Sequence, residues 1–237
     1  MSELAVEAIG ALAYGEALEL QEKRVEALRS GAGSEVLLLL EHPPVITLGR
    51  GGRLENVLAP AATLEAAGIP IHRVSRGGDV TYHGPGQLVG YLIVDLERRG
   101  APDVGRFLRG IEAGLIESLA RVGVPAHARA AMTGVFLGQD PGPGSTPRKL
   151  ASIGVGLRGW ITWHGFALNV TTDLEAFRAI VPCGLRDVAM TSVAEALGEG
   201  SPRDLDRLVR DAVSAVFARR FGPISPETDQ THLGPIS

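Results

Sequence analysis

The sequence predicts a single α+β domain. Short apolar strands follow one another along the 237 residues and are interrupted by few helices, which argues against a regular alternation of strand and helix. No internal repeat and no convincing linker divides the chain, and a hydrophobic fraction of 45% is enough for a sizeable core. We therefore expect one domain over residues 1–222 and a disordered tail over residues 223–237, which are rich in proline, threonine and serine.

The spacing of apolar residues predicts the elements in chain order. The first helix carries apolar side chains at helical spacing and stops at the glycines after Ser30. The continuous apolar run from Val36 to Leu40 is typical of a strand that is buried on both faces. The predicted helices span residues 14–29, 60–67, 103–122, 173–180 and 202–220, the last with Ser201 as its cap. The predicted strands span residues 35–41, 45–48, 69–74, 88–96, 125–128, 134–137, 150–157 and 166–170.

Two glycine-rich segments are predicted to be loops. Residues 76–86 contain four glycines, which lack a Cβ and therefore allow a ligand to approach the backbone closely. The polar side chains around that backbone are Arg76, Thr81, Tyr82, His83 and Gln87. Such a varied set favours a binding loop over an ordinary turn, and the segment lacks the Gly-Lys-Ser/Thr of a nucleotide-binding P-loop. Residues 139–147 are predicted to form a mobile hairpin loop.

Two scarce residues are candidates for thiol-based acyl transfer. Cys183 is the single cysteine of the chain and is flanked by Pro182 and Gly184, which favour a turn. Lys149 is one of only two lysines, and arginine, used almost everywhere else, cannot lose its proton in a protein. A lone cysteine is more often a small buried hydrophobe, and a lone lysine is usually a solvated charge. The alternatives stay open at this point, because the two residues are far apart in sequence.

Composition and charge exclude several classes of function. A net charge of −4 argues against a general nucleic-acid binder, and one cysteine cannot form an internal disulfide or a cysteine metal cluster. No basic start followed by an apolar core opens the chain, and the longest apolar run is too short for a bilayer. We expect a cytoplasmic protein with no nucleic-acid or membrane partner. His83 and His164 match no metal-ligand spacing with Cys183, so we expect no metal.

Four segments together resemble one family. They are Arg-Gly-Gly-x-x-Thr-Tyr-His-Gly-Pro-Gly-Gln (76–87), Arg-Lys-Leu-Ala-Ser-Ile-Gly (148–154), His-Gly-Phe-Ala-Leu-Asn-Val (164–170) and Pro-Cys-Gly (182–184). In this order they are similar to the octanoyltransferases of lipoate biosynthesis, also called lipoyl(octanoyl) transferases or the lipoate biosynthesis protein B family. The resemblance implies the fold that this family shares with biotin and lipoate ligases, a mixed β-sheet flanked by helices. One departure is Ile46, where the family pattern has tyrosine; we expect it to reshape one pocket wall and not to affect the two candidate residues.

The resemblance also implies an activity and a site. Members of the family move an octanoyl group from acyl carrier protein to the lysine of a lipoyl domain, and Cys183 would form the acyl-thioester with Lys149 as its acid/base partner. The implied substrate-binding residues are Arg76, Gly77, Gly78, Asp79, Val80, Thr81, Tyr82, His83, Ser152, Ile153, Gly154, Gly165, Phe166 and Ala167.

The implied partners are acyl carrier protein and the acceptor proteins that carry lipoyl domains. The acceptors are the lipoyl domains of 2-oxoacid dehydrogenase complexes and the glycine cleavage H protein. No cofactor is expected beyond the phosphopantetheine of acyl carrier protein, which delivers the acyl group. Both kinds of partner tend to be acidic in this family, so we expect a basic rim with Arg76 and Arg148.

Two other functions fit parts of the pattern. An ATP-dependent lipoate or biotin ligase has the same fold but does not need the Pro-Cys-Gly nucleophile, so Cys183 disfavours it. A non-catalytic module that binds acyl carriers would keep its function after alkylation of Cys183.

Overall fold

The computed structural model describes residues 4–139, 142, 145–184 and 188–222, without the side chain of Cys183. The predicted tail over residues 223–237 and part of the predicted loop over residues 139–147 lie outside the described residues. The helices, labelled in chain order, are α1 (Tyr14–Arg29), α2 (Ala61–Ala66), α3 (Val104–Arg121), α4 (Val193–Leu197) and α5 (Leu205–Arg220). The strands are β1 (Ala5–Ala11), β2 (Val36–Glu41), β3 (Val45–Leu48), β4 (Ile71–Arg73), β5 (Val80–His83), β6 (Gln87–Ile93), β7 (Ala126–Arg129), β8 (Met132–Leu137), β9 (Arg148–Arg158), β10 (Ile161–Asn169) and β11 (Ala189–Met190).

A large mixed sheet forms the centre of the described structure. Its strand order is β1-β2-β6-β10-β9-β8-β7, with β11 paired to β9. β1 runs parallel to β2 and β11 runs parallel to β9, whereas the other neighbours are antiparallel. The predicted mixed sheet flanked by helices is therefore confirmed, and β9 and β10 form an antiparallel hairpin within it.

The helices cover both faces of this sheet, which explains the uninterrupted apolar run in β2. Leu37 and Leu39 point to one face and pack in the core under α3 and α5. Leu38 and Leu40 point to the other face and pack against α1. Burial of such leucines stabilises the fold by about 1.5–3 kcal/mol each, so both faces contribute to stability.

A smaller sheet with strand order β4-β3-β5 lies beside the large one. One face packs on Leu64 of α2 and on Phe177, which lies in a 3₁₀ helix over Leu174–Ala179. The segment before β5 joins the two sheets, because the amide of Gly77 donates to the carbonyl of Val155 in β9 at 2.8 Å. A pocket lies between the two sheets.

Three sequence predictions are wrong at the level of elements. Residues 80–83 form strand β5, not a loop, because Val80 to His83 pair with all four residues of β3. The predicted helix over residues 173–180 is a 3₁₀ helix over Leu174–Ala179, with Asp173 at its N-cap, and not an α-helix.

The third error concerns the last helix. It begins at Leu205 after a turn, in which the amide of Leu205 contacts the carbonyl of Pro202, so Ser201 is not its cap. Strand β1 was not predicted, because four of its seven residues are alanine or glycine, which favour strands weakly, and none of the seven is fully buried.

Candidate active site

One pocket between the two sheets brings together three of the four sequence motifs. Its empty volume, open solvent at its mouth included, is about 500 Å³. All the predicted substrate-binding residues line it except Tyr82. The lining residues are Tyr14, Arg76, Gly77, Gly78, Asp79, Val80, Thr81, His83, Val89, Tyr91, Ser152, Ile153, Gly154, His164, Gly165, Phe166 and Ala167.

Glycines allow the backbone of residues 76–79 to pack directly against the backbone of neighbouring segments at the pocket wall. A Cβ on Gly154 would lie 2.8 Å from the carbonyl oxygen of Gly77, and a Cβ on Gly49 would collide with the carbonyl oxygen of Gly78. Gly78 also has φ +85°, which side chains disfavour. These glycines therefore allow segments of the protein to contact one another closely, and this contact positions residues 76–79 over the pocket.

Arg76 is a fixed part of the pocket wall. It is 8% exposed, so the prediction that it contributes to an outer basic rim is wrong. Its Nη2 donates to the carbonyl oxygen of Thr47 at 2.9 Å and to Oγ1 of Thr47 at 2.8 Å. Its Nη1 donates to the carbonyl oxygen of Gly77 at 3.0 Å. The guanidinium thus ties strand β3 to the glycine-rich segment and places a positive charge beside the pocket.

His83 belongs to a chain of hydrogen bonds that fixes its tautomer. The side-chain amide nitrogen of Gln87 donates to Asn169 Oδ1 at 2.9 Å and to the carbonyl of Tyr82, so its oxygen is the acceptor for His83. Nδ1 of His83 therefore carries the proton and donates to Gln87 Oε1 at 2.8 Å. Nε2 is left as an acceptor and faces Oγ1 of Thr47 at 3.5 Å. Asn169 in turn donates to the carbonyl of Thr191 at 3.0 Å, beyond β11.

A cluster of buried rings forms one end of the pocket. Tyr14 stacks on His83 with ring centroids 6.0 Å apart, and His42 lies 5.7 Å from His83. Nδ1 of His42 donates to the carbonyl of Leu12 at 2.7 Å, which leaves its Nε2 to accept from the hydroxyl of Tyr91 at 2.6 Å.

Burial keeps the rings of this end uncharged. It lowers the pKa of His42 to about 4. Burial lowers the pKa of His83 to about 3, with further lowering by His42 and Arg76. Burial raises the pKa of Tyr14 to about 12, an effect that Arg76 partly offsets. A neutral, largely apolar end suits a hydrocarbon chain better than a charged group.

Four lining residues were not predicted as site residues. Val89 and Tyr91 lie two positions apart on β6 and so share one face of a strand that was predicted, a signal that could have placed them together. His164 has a backbone φ of +58°. Burial lowers the pKa of His164 to about 3, and the positive charge of Arg76 contributes a smaller lowering. Tyr14 comes from the first turn of α1, which the sequence gives no reason to place here.

Tyr82 lies outside the pocket because it is on the opposite face of β5. Adjacent side chains of a strand point to opposite faces, and Thr81 and His83 face the pocket. The ring of Tyr82 packs edge-to-face on Phe177 at 5.5 Å, in the core of the small sheet. We therefore find Tyr82 to be a core residue that contacts none of the pocket space.

The turn that contains Cys183 is attached to the pocket wall. Pro182–Gly184 is a 3₁₀ turn, closed by a hydrogen bond from the amide of Gly184 to the carbonyl of Val181 at 3.0 Å. Gly184 has φ +67°, and a Cβ there would lie 2.5 Å from Oδ2 of Asp79, which lines the pocket. The backbone next to Cys183 therefore contacts the pocket wall; the side chain of Cys183 lies outside the described structure.

Asp79 supports this turn rather than pointing its carboxylate at a substrate. Its Oδ1 accepts from the amides of Arg53 at 3.0 Å and Val80 at 2.7 Å, and its Oδ2 accepts from the side-chain amide of Asn56 at 2.5 Å. The carbonyl of Asn56 accepts from the amide of Val181 at 2.7 Å.

Lys149 is buried at the start of β9. It is 2% exposed, and its Nζ donates to the carbonyl of Thr133 at 3.1 Å and lies 5.4 Å from the centre of the Phe136 ring. Lys149 does not line the pocket, whereas Ser152, three residues further along β9, does. β11 follows the Cys183 turn in the chain and pairs with Lys149 through Met190. The chain that leaves the turn therefore returns beside the lysine.

Neither metal ligands nor membrane helices are apparent in the part of the chain that the structure describes. No three histidine, cysteine, aspartate or glutamate side chains are grouped there to hold a metal ion. None of the helices in that part combines the length and apolar character needed to cross a membrane.

Known proteins are similar to this chain over most of its length. The family model of the lipoyl protein ligase A/B catalytic domain matches residues 13–218. An octanoyltransferase from Solibacter usitatus is 48% identical over 216 residues, which cover 91% of this chain and 90% of that protein. An octanoyltransferase from Geobacter sp. strain M21 is 48% identical over 215 residues, with coverage of 91% and 94%.

Solved structures support the fold. Lipoate-protein ligase A bound with ATP superposes with a TM-score of 0.68 at 18% identity, covering 92% of this chain and 85% of that one. A bipartite lipoate protein ligase from Thermoplasma acidophilum gives a TM-score of 0.67 at 18% identity, with coverage of 93% and 84%. The similarity over nearly the whole chain shows that this chain belongs to the octanoyltransferases of the lipoyl protein ligase A/B catalytic-domain family.

Proposed function

We propose that this protein transfers an octanoyl group from acyl carrier protein to the acceptor lysine of a lipoyl domain, through a thioester on Cys183 with Lys149 as acid and base. The octanoyltransferase relatives support octanoyl transfer. The acceptors would be the lipoyl domains of 2-oxoacid dehydrogenase complexes and the glycine cleavage H protein. The acyl group would arrive on phosphopantetheine, with no other cofactor.

The observation that carries the proposal is the attachment of the Cys183 turn to the wall of a pocket that has a neutral, largely apolar end. The turn contacts Asp79, and the pocket beyond it ends in rings that burial keeps uncharged. An octanoyl chain has six methylenes, and full burial at about 0.8 kcal/mol each favours binding by roughly 5 kcal/mol before ordering costs. The pocket therefore suits the acyl chain of a thioester whose carbonyl reaches Cys183.

In the first step the thiolate of Cys183 attacks the thioester carbonyl. A bond forms between its sulfur and the acyl carbon, the bond from that carbon to the pantetheine sulfur breaks, and Lys149 gives a proton to the departing thiolate. One thioester replaces another, so the step requires little driving force. Lys149 is left neutral.

In the second step the uncharged amine of the acceptor lysine attacks the thioester on Cys183. The amide bond forms, Cys183 leaves as a thiolate, and neutral Lys149 takes the proton that the amine loses. Both catalytic groups return to their initial states. Because an amide replaces a thioester, this step makes the overall transfer irreversible in practice.

The test is mass spectrometry of the intact protein after incubation with octanoyl-acyl carrier protein in the absence of ATP. We expect one octanoyl adduct on wild-type protein, its loss on addition of a lipoyl domain, and no thioester on Cys183→Ala. Lys149→Arg keeps the charge but cannot release the proton, so we expect it to lose transfer. Wild-type transfer by either variant would contradict the proposed mechanism.

The fold shared with a lipoate-protein ligase makes ATP dependence the discriminating control. If octanoic acid and ATP modify the lipoyl domain whereas octanoyl-acyl carrier protein does not, the chain acts as a ligase. If alkylation of Cys183 leaves function intact, the chain is a binding module instead.

A further inference from the structure

Helix α3 carries a carboxylate into the interior at Glu112, which is 1% exposed. Its neighbours on the helix, Ile111 and Leu115, belong to the main hydrophobic core. Burial of a carboxylate is costly unless the charge is paired and hydrogen-bonded. Oε2 of Glu112 lies 2.6 Å from Nη1 of Arg109, which supplies a counter-charge from the surface. The angle between the two groups does not meet that of a hydrogen bond. Oε1 points the other way, into the sheet.

Oε1 of Glu112 accepts a hydrogen bond from the backbone amide of Gly134 at 2.9 Å. The carbonyl of the same peptide unit, that of Thr133, accepts from Nζ of Lys149 at 3.1 Å. The N–H and C=O groups of a trans peptide point in opposite directions, so the carboxylate and the ammonium lie at the two ends of one amide. A carboxylate at the N–H end polarises the amide and makes its carbonyl a stronger acceptor for a cation.

The lysine packs directly on this peptide unit. Gly134 has φ +138°, and a Cβ there would lie 2.7 Å from the carbonyl oxygen of Ala151 and 2.8 Å from Cε of Lys149. The absence of a side chain thus lets the lysine stem pass against the backbone. The amide that Glu112 holds is therefore also the surface on which the end of Lys149 rests.

We propose that Glu112 is a positioning residue, which orients the Nζ of Lys149 through the peptide unit between Thr133 and Gly134. The inference rests on the acid/base role proposed above for Lys149. Glu112 does not touch the substrate, and its effect on the reaction passes through the lysine. Glu112→Gln keeps an oxygen that can accept from Gly134 but removes the charge. We expect it to lower kcat about tenfold with little change in KM, since charge-assisted hydrogen bonds are about twice as strong as neutral ones.

The experiment measures the rate of Cys183 acylation in a single turnover and, separately, the rate of Cys183 alkylation by iodoacetamide. Alkylation reports on one site only, because the chain has one cysteine. Glu112→Gln is compared with Glu112→Met, an apolar side chain of similar length, and both are repeated in a Lys149→Met background. Glu117→Gln is the matched control, because Glu117 lies on the same helix and pairs with Arg121 and Arg219 at the surface. Thermal melting of each variant is recorded alongside.

We expect both Glu112 variants to slow acylation of Cys183, and Glu112→Met to slow it at least as much as Glu112→Gln. In the Lys149→Met background this effect should vanish, so that the acylation rate and the alkylation rate no longer depend on residue 112. Glu117→Gln should match wild type. A wild-type acylation rate in folded Glu112→Gln or Glu112→Met, or an equal loss with and without Lys149, would overturn the inference alone. A wild-type acylation rate in Lys149→Met would contradict the proposed role of the lysine itself, and the inference with it.

Discussion

Asp79 and Asn56 join the pocket wall to the turn that contains Cys183. The side-chain amide of Asn56 donates to Oδ2 of Asp79 at 2.5 Å, and the backbone carbonyl of Asn56 accepts from the amide of Val181 at 2.7 Å. A shift of Asp79 would therefore move the residues on which Cys183 depends for its position. Asp79 and Asn56 take no part in the proposed reaction steps. They affect the reaction by holding the turn that contains Cys183 in place.

Gly184→Ala should disturb this arrangement and slow acylation of Cys183 by about tenfold or more, since a misplacement of about 1 Å at a reacting centre costs about that much or more. The added Cβ would lie 2.5 Å from Oδ2 of Asp79, so either the turn or the Asp79 carboxylate, which Arg53, Val80 and Asn56 hold, must move. The measurement is the single-turnover rate of octanoyl-enzyme formation.

Gly100→Ala is the matched control for this variant. Gly100 has the same φ of +67°, but a Cβ there would meet nothing within 4 Å. Both variants bear the cost of a left-handed backbone, about 1–3 kcal/mol of stability, but only Gly184→Ala should lose activity. Equal acylation rates in the two variants would show that contact with Asp79 does not position the turn.

The sequence was sufficient for the parts of the fold that rest on strong local patterns. The apolar run in β2 and the long amphipathic helix α3 were both predicted within a residue or two of their ends. Strand β5 was missed because four surrounding glycines favour a loop, whereas pairing with β3, a tertiary effect, fixes the extended form. Local propensity carries no information on such pairing.

The site was predictable as a set of segments but not as an arrangement of side chains. Motif similarity named most of the pocket lining, yet it could not tell that Tyr82 faces the core or that Arg76 is buried and bonded to Thr47. The first outcome depends on which face of β5 meets the large sheet, and the second depends on how the segment before β5 packs against β3. Glu112 carries no local signal, because its partner at Gly134 is 22 residues away and is a backbone amide.

Three buried histidines predict a loss of stability in mild acid. Burial lowers the pKa of His42 to about 4 and the pKa values of His83 and His164 to about 3, whereas an unfolded histidine has a pKa near 6.5. Between these values the unfolded chain binds more protons than the folded one. The free energy of unfolding is therefore highest above pH 6.5 and falls as the pH decreases from 6.5 towards 3, by up to about 1.4 kcal/mol per pH unit for each histidine.

Urea unfolding between pH 7.5 and pH 5 measures this slope. His42→Gln removes one of the three groups, so we expect it to lower the number of protons taken up on unfolding by about one relative to wild type. A variant slope equal to that of wild type would show that His42 is not held neutral in the folded protein.

Arg76→Lys should weaken the pocket although the charge is kept. One ammonium cannot span the carbonyl and hydroxyl of Thr47 together with the carbonyl of Gly77, so at least one buried acceptor loses its partner, at a cost of about 1–3 kcal/mol. We expect a lower melting temperature and a kcat/KM reduced about tenfold. Arg50→Lys is the control and should retain both, because Arg50 is exposed and is not among the residues that line the pocket. Unchanged kcat/KM in Arg76→Lys would mean that charge alone suffices.

Val89→Ala should shift acyl-chain preference towards longer chains. Val89 is 1% exposed and lines the pocket from β6, so its truncation enlarges the space available to the acyl chain. Decanoyl has two more methylenes than octanoyl, and burial at about 0.8 kcal/mol each allows the ratio of kcat/KM for decanoyl over octanoyl to rise up to about tenfold. Val36→Ala is the control, because Val36 is equally buried in the same core cluster but does not line the pocket. Val36→Ala should lose stability without a change in this ratio. The same shift of the ratio in both variants, or a shift in neither, would mean that the acyl chain does not reach Val89.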